Sequence, residues 1–235
     1  MSNVASDIEP LIFRGPPAKL ILHSALPNVC AVNLVPDDKL SSLIGHSKSI
    51  FKCRNNQHGE LKKLKIRLSP NFKPGLYHAE FETEQGVIPV DIDVEPLPRL
   101  TMSPVQVSIS GKSGDKVQVH LLFENKGNVP LCIEKSYQLG VYDDDGIETA
   151  FASTYRMDTH DLTKLVANFM HKIREGHGGL LKMRVLKGSG NIGLAEVRSV
   201  LVEASLSSKL KAGHHYHGVW SLNSSEYAVT VNVIK

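Results

Sequence analysis

An internal repeat constrains the fold of this 235-residue chain more than any other feature of its sequence. The segment LSPNFKPGLYHAEF at 68–81 aligns with LSSKLKAGHHYHGVW at 206–220 when one histidine is inserted in the second copy. At the same spacing, VIPVDIDV at 87–94 aligns with EYAVTVNV at 226–233. Self-similarity of this kind indicates a duplicated structural unit. We therefore predict two related domains, each ending in the same two strands.

Each copy of the repeat has the pattern of a β-hairpin. A Lys-Pro-Gly or Lys-Ala-Gly turn places Gly75 and Gly213 where glycine can adopt a positive φ without a Cβ clash. The following residues alternate between apolar and polar, which is typical of a strand with one buried and one solvated face. The apolar positions are Tyr77, Ala79, Phe81, Val90, Ile92 and Val94, and then Tyr216, Gly218, Trp220, Val229, Val231 and Val233. This alternation favours an antiparallel sandwich.

Short strand candidates separated by Pro, Asn, Asp and Gly fill the rest of both halves. They lie at 18–24, 28–35, 48–54, 60–69, 105–111, 115–125, 131–139 and 180–188. Such spacing predicts an all-β fold of two tandem antiparallel β-sandwich domains. The segment VEPLPRLTMSP carries three prolines and cannot continue a central strand. We therefore predict a first domain at 1–96, a proline-rich linker at 97–104 and a second domain at 105–235.

One amphipathic helix is predicted to be inserted in the second domain, at about 158–175. Its apolar residues recur at helical spacing, with Asp158 or Thr159 as the cap and Gly176 as the stop. They are Leu162, Leu165, Val166, Phe169, Met170 and Ile173. This stripe is expected to pack on the sandwich. The alternative is a partner-binding helix, since a sandwich core does not need such an insertion. The partner-binding candidates are Leu162, Leu165, Phe169, His171 and Lys172.

Two histidines are candidate metal ligands. His215 and His217 would project from the same face of one strand, at a spacing workable for zinc or copper. However, His217 is the repeat partner of His78, which has no histidine neighbours, so a solvent-facing or cross-strand role explains both better. We therefore predict no metal ion and no other cofactor.

Two further motifs resemble known sites of chemistry. GSGNIG at 188–193 matches the dinucleotide-binding pattern, which needs a helix directly after it. The repeat instead aligns residues 204–207 with the end of a strand, so a glycine-rich hairpin loop is expected. VYDDDGIE at 141–148 lacks the ligand positions of an EF-hand and predicts an acidic turn. A nucleophile elbow, a Walker sequence and HExxH are absent from the sequence. We predict no catalytic residues and no enzyme.

Charge, hydropathy and cysteine content limit the partners and the compartment. The net charge of +3 is too balanced to indicate a nucleic-acid binder, and no apolar run reaches the roughly 18 residues of a membrane span. The N-terminal residues lack the features of a secretory signal. We expect a cytoplasmic protein if Met1 is native, and a periplasmic or extracellular one if the sequence is a mature fragment. Cys30 and Cys53 could pair if their strands are neighbours, leaving Cys132; three buried reduced thiols are the favoured alternative.

Two segments resemble bacterial immunoglobulin-like or fibronectin-III-like modules. In that family a Pro-Gly-x-Tyr turn opens the penultimate strand, as at Pro74, Gly75 and Tyr77. Another family feature, Asn-x-Gly-Asn-x-Pro, marks a corner between strands. Here its residues are Asn125, Gly127, Asn128 and Pro130. The resemblance implies a non-catalytic structural or assembly protein of a bacterial surface or multiprotein assembly. It would contact other protein chains through sandwich edges and the inserted helix, as a homo- or hetero-oligomer.

The resemblance leaves two other functions open. Two such domains are similar to a periplasmic chaperone for pilus-type subunits, which binds its partners by strand donation. The basic anchor of such a chaperone would be Arg14 or Lys112. A carbohydrate-binding accessory module is the other alternative, and it would need an exposed aromatic platform. Trp220 and Tyr216 are assigned to the core by their alternation.

Overall fold

The computed structural model describes residues 9–24, 33–36, 50–55, 61–83, 86–223 and 225–235. The described residues fall into two compact units. Unit 1 lies within residues 1–98 and includes 126–129, whereas unit 2 lies within 99–125 and 130–235. Strands dominate both units, and the two helices described lie in unit 2. The predicted all-β fold with a helical insertion in the second half of the chain is confirmed.

Unit 1 contains seven of the described strands. They are β1 (Leu11–Gly15), β2 (Ile21–Leu22), β3 (Asn33–Pro36), β4 (Ile50–Asn55), β5 (Leu61–Arg67), β6 (Gly75–Thr83) and β7 (Gly86–Val94). One sheet has the order β2-β1-β7-β6-β3, and β4 pairs with β5 in a second sheet. Strand β1 runs parallel to β7, and the other pairs are antiparallel. The core of unit 1 consists of Leu11, Phe13, Leu20, Ile66, Leu68, Phe72, Tyr77, Ala79, Phe81, Val90, Ile92 and Val94.

Unit 2 contains the remaining ten described strands. They are β8 (Leu100–Ser103), β9 (Gln106–Gly111), β10 (Lys116–Asn125), β11 (Leu131–Ile133), β12 (Ser136–Asp143), β13 (His177–Lys187), β14 (Gly190–Ile192), β15 (Val197–Ser205), β16 (His215–Leu222) and β17 (Ser225–Val233). The main sheet has the order β8-β10-β15-β13-β12-β16-β17-β9, and β11 pairs with β14. Its first four strands follow the A-B-E-D order of an immunoglobulin sandwich, and the next three follow C-F-G. Contacts of β9 with β10 and of β8 with β17 bring the two ends of this sheet together.

The two copies of the sequence repeat form the same paired strands. Tyr77 on β6 lies opposite Ile92 on β7, and its repeat partner Tyr216 on β16 lies opposite Val231 on β17. In each unit an earlier strand adds parallel to the last one, β1 to β7 and β9 to β17. The predicted alternation is present, because the apolar residues of these strands are buried and their polar neighbours are not. The two copies therefore close with equivalent paired strands, as the repeat predicted.

The turn glycines adopt the backbone conformation that the sequence predicted. Gly75 has a φ of +146° and Gly213 a φ of +80°. A Cβ at Gly75 would meet nothing closer than 3.8 Å, and one at Gly213 nothing closer than 3.4 Å. Backbone conformation rather than crowding therefore selects glycine at both turns.

The proline-rich segment 97–104 differs from the predicted linker over half of its length. Residues Leu100–Ser103 form β8, which pairs antiparallel with β10. Leu100 and Met102 point inward and are 1% and 3% exposed. The prolines that flank this short strand suggested an interruption, but they lie outside its hydrogen-bonded residues. The segment therefore contributes side chains to the core of unit 2.

The predicted helix starts later than expected. Helix α2 spans Leu162–Glu175 rather than 158–175. Asp161 is the cap, in place of Asp158 or Thr159, because its carboxylate accepts hydrogen bonds from the backbone N–H groups of the first turn. None of the residues of α2 is fully buried. Leu165 and Phe169 line a groove with α1, and Ile173 lies beside Tyr142 and His217 of the sheet. The predicted packing of the apolar stripe on the sandwich is therefore wrong for most of its length and holds at Ile173.

A helix that the sequence analysis did not predict precedes α2. Helix α1 spans Gly146–Tyr155 and begins directly after the acidic residues that were assigned to a turn. Of those three residues, Asp143 ends strand β12, and Asp144 and Asp145 form the turn into α1. Together α1 and α2 form a helical hairpin between β12 and β13.

The glycine-rich motif lies in the connection between the antiparallel strands β13 and β15, as predicted, but its residues Gly190–Ile192 form the short strand β14, which was not predicted. Gly188 and Gly190 have φ values of +88° and +107°. Strand β15 follows at Val197 without an intervening helix, so the dinucleotide-binding arrangement is not formed. Of the two cysteines that could pair, Cys30 and the side chain of Cys53 lie outside the described residues. Cys132 carries an exposed free thiol, contrary to the expected burial, because it alternates with inward-facing neighbours on β11.

Candidate protein-interaction surface

The helical hairpin leaves the sandwich of unit 2 through a narrow neck. Gly146 starts α1 and Gly176 follows the end of α2, and a Cβ built on Gly176 would lie 3.2 Å from the Cα of Gly146. The backbone N–H of Asp143 donates to the carbonyl of Gly176 at 2.9 Å. Glycine at both positions thus allows the entering and leaving chains to approach closely.

Two histidine–aspartate pairs fix the start of the hairpin to β16. Nδ1 of His214 lies 2.7 Å from Oδ2 of Asp143, whose side chain is only 7% exposed. On the other side of the neck, Nδ1 of His217 contacts Oδ1 of Asp144. The backbone N–H of Asp144 also donates to the carbonyl of His215 at 2.9 Å. These contacts orient the base of the hairpin relative to the sheet.

The two helices pack against each other more than against the sheet. Ala150 on α1 is fully buried, and the rings of Phe151 and Phe169 lie 4.8 Å apart. Nδ2 of Asn168 on α2 contacts the hydroxyls of Ser153 and Thr154 on α1, both at 3.3 Å. The hairpin therefore has a small core of its own, with a polar contact that sets the helix register.

The C-terminal end of α2 carries a charged cluster on its solvent side. Nζ of Lys172 donates to Glu175 at 2.7 Å, and Nε2 of His171 lies 3.1 Å from the same carboxylate. The hydrogen bond from Lys172 lowers the pKa of Glu175. Since cations are favourable at a helix C-terminus, Lys172 and Arg174 in the last turn stabilise the end of α2.

Six large apolar side chains of the helical hairpin are exposed to solvent. We call them the hairpin surface, namely Ile147, Phe151, Tyr155, Leu162, Val166 and Met170. Their exposures range from 49% for Met170 to 87% for Tyr155. A groove of about 510 Å³ runs between the helices beside them, lined by Phe151, Tyr155, Met157, Leu165, Val166 and Phe169 among others. Apolar side chains grouped in this way on a surface are typical of a binding site.

The five partner-binding candidates from the sequence lie in three different environments. Leu162 is 75% exposed on the hairpin surface. Leu165 and Phe169 are half-buried and line the groove next to α1. His171 and Lys172 belong to the charged cluster with Glu175. The three α1 residues of the hairpin surface were not singled out, because α1 itself was not predicted; their spacing of four residues is the signal that could have identified them.

The two candidate metal ligands do not converge on a common site. Nδ1 of His215 contacts Oδ1 of Asn232 on β17, at 2.6 Å, whereas His217 faces Asp144. The repeat partner of His217, His78, also contacts an aspartate, with its Nδ1 2.8 Å from Asp91. Across the described residues, no group of three or more His, Cys, Asp and Glu side chains is placed to hold a metal ion.

The residues predicted for a carbohydrate platform and for a chaperone's basic anchor have structural positions in their own units. Trp220 and Tyr216 are both 2% exposed, so neither belongs to a surface platform. Nε of Arg14 donates to Asp93 at 2.8 Å across the parallel pair of β1 and β7. The backbone N–H of Lys112 donates to Asp115 in the turn after β9. Arg14 is thus already engaged by a carboxylate of its own unit.

Comparisons with known proteins identify no family. No protein-family model and no curated protein sequence matches this chain. Solved structures that resemble it include PapD-like domain 7 of human CEP192, at 11% identity and a TM-score of 0.28, covering 60% of this chain and 93% of that one. Domains 4 and 5 of the S-layer protein SbsC match at 11% identity and a TM-score of 0.28, over 92% and 86% of the two chains. The titin fragment A168169 matches at 10% identity and a TM-score of 0.28, over 97% and 96%.

Similarity at this level indicates neither a partner nor an activity for this chain. Within the described part of the chain, no helix is both long and apolar enough to cross a membrane.

Proposed function

We propose that this protein is a non-catalytic interaction module, in which the sandwich of unit 2 carries the helical hairpin and the hairpin surface binds another protein chain. The observation that carries this proposal is the exposure of six large apolar side chains on two helices that pack against each other. The groove lies in the same insertion. Neither the exposed side chains nor the groove is needed to fill the core of the sandwich.

The chemistry of the hairpin surface supports protein binding. Burial of apolar area in an interface contributes roughly 25 cal/mol per Å² before the costs of association. Tyr155 is the most exposed of the six side chains, and tyrosine is among the residues that most often dominate binding energy. Polar groups at the rim are available from the charged end of α2. The groove beside Tyr155 and Val166 is lined mainly by apolar side chains. Hydrophobic grooves of this kind commonly bind the apolar face of an amphipathic helix from another protein.

The surroundings of the histidines support a non-catalytic role. A hydroxyl or thiol nucleophile needs a general base within hydrogen-bond reach. Among the described residues, the hydrogen bonds of His214 and His217 go to aspartates, and none goes to a serine, threonine or cysteine side chain. Both pairs lie at the neck of the hairpin, where they hold structural elements together.

Photo-crosslinking in cells that make the protein tests this proposal. A photo-reactive phenylalanine analogue at Val166 is expected to form covalent adducts with a protein chain. The matched control places the same analogue at Val219, a valine of similar exposure on β16 (53%, against 60% for Val166). Mass spectrometry then identifies the adducts. Adducts of equal yield at both positions, or none at Val166, would refute binding at the hairpin surface.

A further inference from the structure

Four cations lie on one exposed face of the main sheet of unit 2. Lys182 and Arg184 are two residues apart on β13, so their side chains lie on the same face, about 7 Å apart. Lys116 on β10 lies in the same row as Lys182, with Ser205 of β15 between them. Lys187 follows the bulge in β13 and is also exposed. We call these four residues, Lys116, Lys182, Arg184 and Lys187, the basic face.

Acidic side chains neutralise only part of this charge. The three cations of β13 form no ion pair within the described part of the chain, whereas Lys116 lies 4.0 Å from Glu203. Glu203 is partly buried and lies opposite Arg184. The next carboxylate along β10, that of Glu124, lies near the opposite end of the strand. One carboxylate therefore stands among four cations, and this surplus of positive charge favours an anionic partner.

Exposed leucines lie among these cations. Leu180 comes two residues before Lys182, and Leu186 comes two residues after Arg184 on the same strand. Leu122 on β10 lies on the exposed side of the same sheet. All three leucines are exposed to solvent. The face therefore offers aliphatic side chains as well as positive charge.

This mixture distinguishes between the classes of anionic partner. Aliphatic side chains gain little against the phosphates of a nucleic acid. Among the described residues, the exposed positions of β10, β13 and β15 include no Phe, Tyr or Trp on which bases could stack. The leucines are separated by cations, whereas a protein interface groups its apolar side chains in a central core. A bilayer presents anionic headgroups above acyl chains, and therefore rewards both kinds of side chain.

We propose that the basic face of unit 2 binds the surface of an anionic lipid bilayer. The charged ends of Lys and Arg contact the lipid phosphates and carboxylates, and Leu180 and Leu186 reach the boundary of the acyl chains. Because lipids move laterally, such a surface needs no fixed pattern of partners. The hairpin surface takes no part in this contact, so the inference goes beyond the function proposed above.

Co-sedimentation of the full chain with lipid vesicles tests this inference. Phosphatidylcholine vesicles that contain about one third phosphatidylserine should bind the chain, and vesicles of phosphatidylcholine alone should bind it at least about tenfold more weakly. Raising the salt from about 0.1 M to about 0.5 M should weaken binding to the anionic vesicles by a similar factor, because the charges are screened. Equal binding to both kinds of vesicle, or binding to neither, would overturn the inference.

Charge removal at two places in unit 2 locates the contact. Lys182→Gln and Arg184→Gln should each weaken binding to the anionic vesicles about fivefold, and about 25-fold together. The matched control combines Lys164→Gln with Arg174→Gln, which removes one Lys and one Arg from exposed positions of α2. The control should change binding by less than about twofold. An equal loss in both pairs would place the contact on α2 and contradict the inference.

A leucine variant separates a bilayer from other polyanions. Leu180→Ser should weaken vesicle binding about threefold, because less apolar area leaves water. Val219→Ser, at a residue of similar exposure on β16 (53%, against 52% for Leu180), should leave binding unchanged. If Leu180→Ser has no effect, or if the chain binds duplex DNA or polyglutamate more tightly than the anionic vesicles at the same salt, the partner is not a bilayer and the inference fails.

Discussion

Unit 1 and unit 2 end in the same paired strands and are compared through their described residues. In unit 2 the strand that pairs with β16 is β12, and residues 144–176 between β12 and β13 contain α1 and α2. In unit 1 the corresponding strand is β3, which pairs with β6, and residues 37–49 after it lie outside the described residues. The closing strands are therefore common to both units, whereas the helical hairpin is described in unit 2.

The shared part extends to individual hydrogen bonds. The N–H of Leu68 donates to the carbonyl of Pro17 at 2.8 Å, and the N–H of its repeat partner Leu206 donates to Asp115 at the same distance. Both leucines are buried directly after a strand. Equivalent contacts of this kind are selected by the fold itself. The helical hairpin takes no part in them, which separates what holds the sandwich together from what it presents to solvent.

The largest expected effect comes from a position where the two units differ inside their common core. Gly218 in unit 2 corresponds to Ala79 in unit 1. A Cβ at Gly218 would lie 2.6 Å from the carbonyl oxygen of Gly140 and 2.9 Å from Cδ1 of Leu139. Because β12 would have to move, Gly218→Ala should destabilise unit 2 by about 3 kcal/mol.

Hydrogen exchange measured by mass spectrometry would detect this loss of stability in peptides of unit 2, independently of peptides from unit 1. Ala79→Gly is the control in unit 1, where no close approach is involved, and we expect a cost of about 1 kcal/mol. Equal costs for the two substitutions would contradict the close approach of β12 and β16.

The repeat made the sandwich predictable from sequence, because strand alternation and turn glycines are local signals. The turn at Gly75, the buried Tyr77 and the strand at 197–205 all followed from aligning the two copies. The linker prediction at 97–104 was less successful, since a four-residue strand between prolines has no alternation long enough to detect. The strand forms because it pairs with β10, which lies about twenty residues later in the chain, and a local sequence pattern does not show such a contact.

The candidate site was less predictable for a physical reason. An amphipathic stripe shows that a helix has an apolar side but not what covers it. On α2, Leu165 and Phe169 are half-buried beside α1, whereas Val166 remains exposed. Helix α1 contains Thr, Ser and aromatic residues of modest helix propensity, so its formation depends on packing against α2. Which side of each helix stays exposed depends on how the two helices pack, and neither segment shows that alone.

The turn glycines should both be sensitive to a methyl group. Since a positive φ is costly for a residue with a Cβ, Gly75→Ala and Gly213→Ala should each destabilise their own unit by about 1–3 kcal/mol, with the larger cost at Gly75, whose φ of +146° is the less accessible one. Both sites have room for the methyl group, so the cost reports backbone conformation. Gly193→Ala, at a glycine without a positive φ, serves as the control with a cost below about 0.5 kcal/mol. A cost as small as that of the control at either turn would contradict the assigned backbone conformation.

A smaller and pH-dependent effect is expected from the repeated tyrosines. Burial raises the pKa of Tyr77 and of Tyr216. The folded chain therefore holds these phenol protons more tightly than the unfolded chain. This contribution to stability is complete below the unfolded pKa of about 10 and is lost as the pH rises through the folded pKa.

Phenylalanine variants measure this loss in each unit. At pH 8, Tyr77→Phe removes a hydrogen bond to the carbonyl of Lys73, and Tyr216→Phe removes one from the N–H of Lys211. Each should cost about 1 kcal/mol. In urea unfolding, both variants should lose less stability than the unsubstituted chain between pH 9 and 11. Parallel pH profiles would show that these tyrosines do not carry the alkaline loss.

The smallest expected effect separates the hairpin surface from the fold. Because Val166 is 60% exposed, Val166→Glu should change the free energy of unfolding by less than about 0.5 kcal/mol. Ala150 lies on the neighbouring helix and is fully buried, so Ala150→Glu should disrupt the hairpin and increase exchange throughout 146–175. If Val166→Glu also increased exchange there, the apolar side of α2 would be needed for folding. If it leaves exchange unchanged while abolishing binding of a protein partner, folding stability does not account for an exposed valine at this position, and binding does.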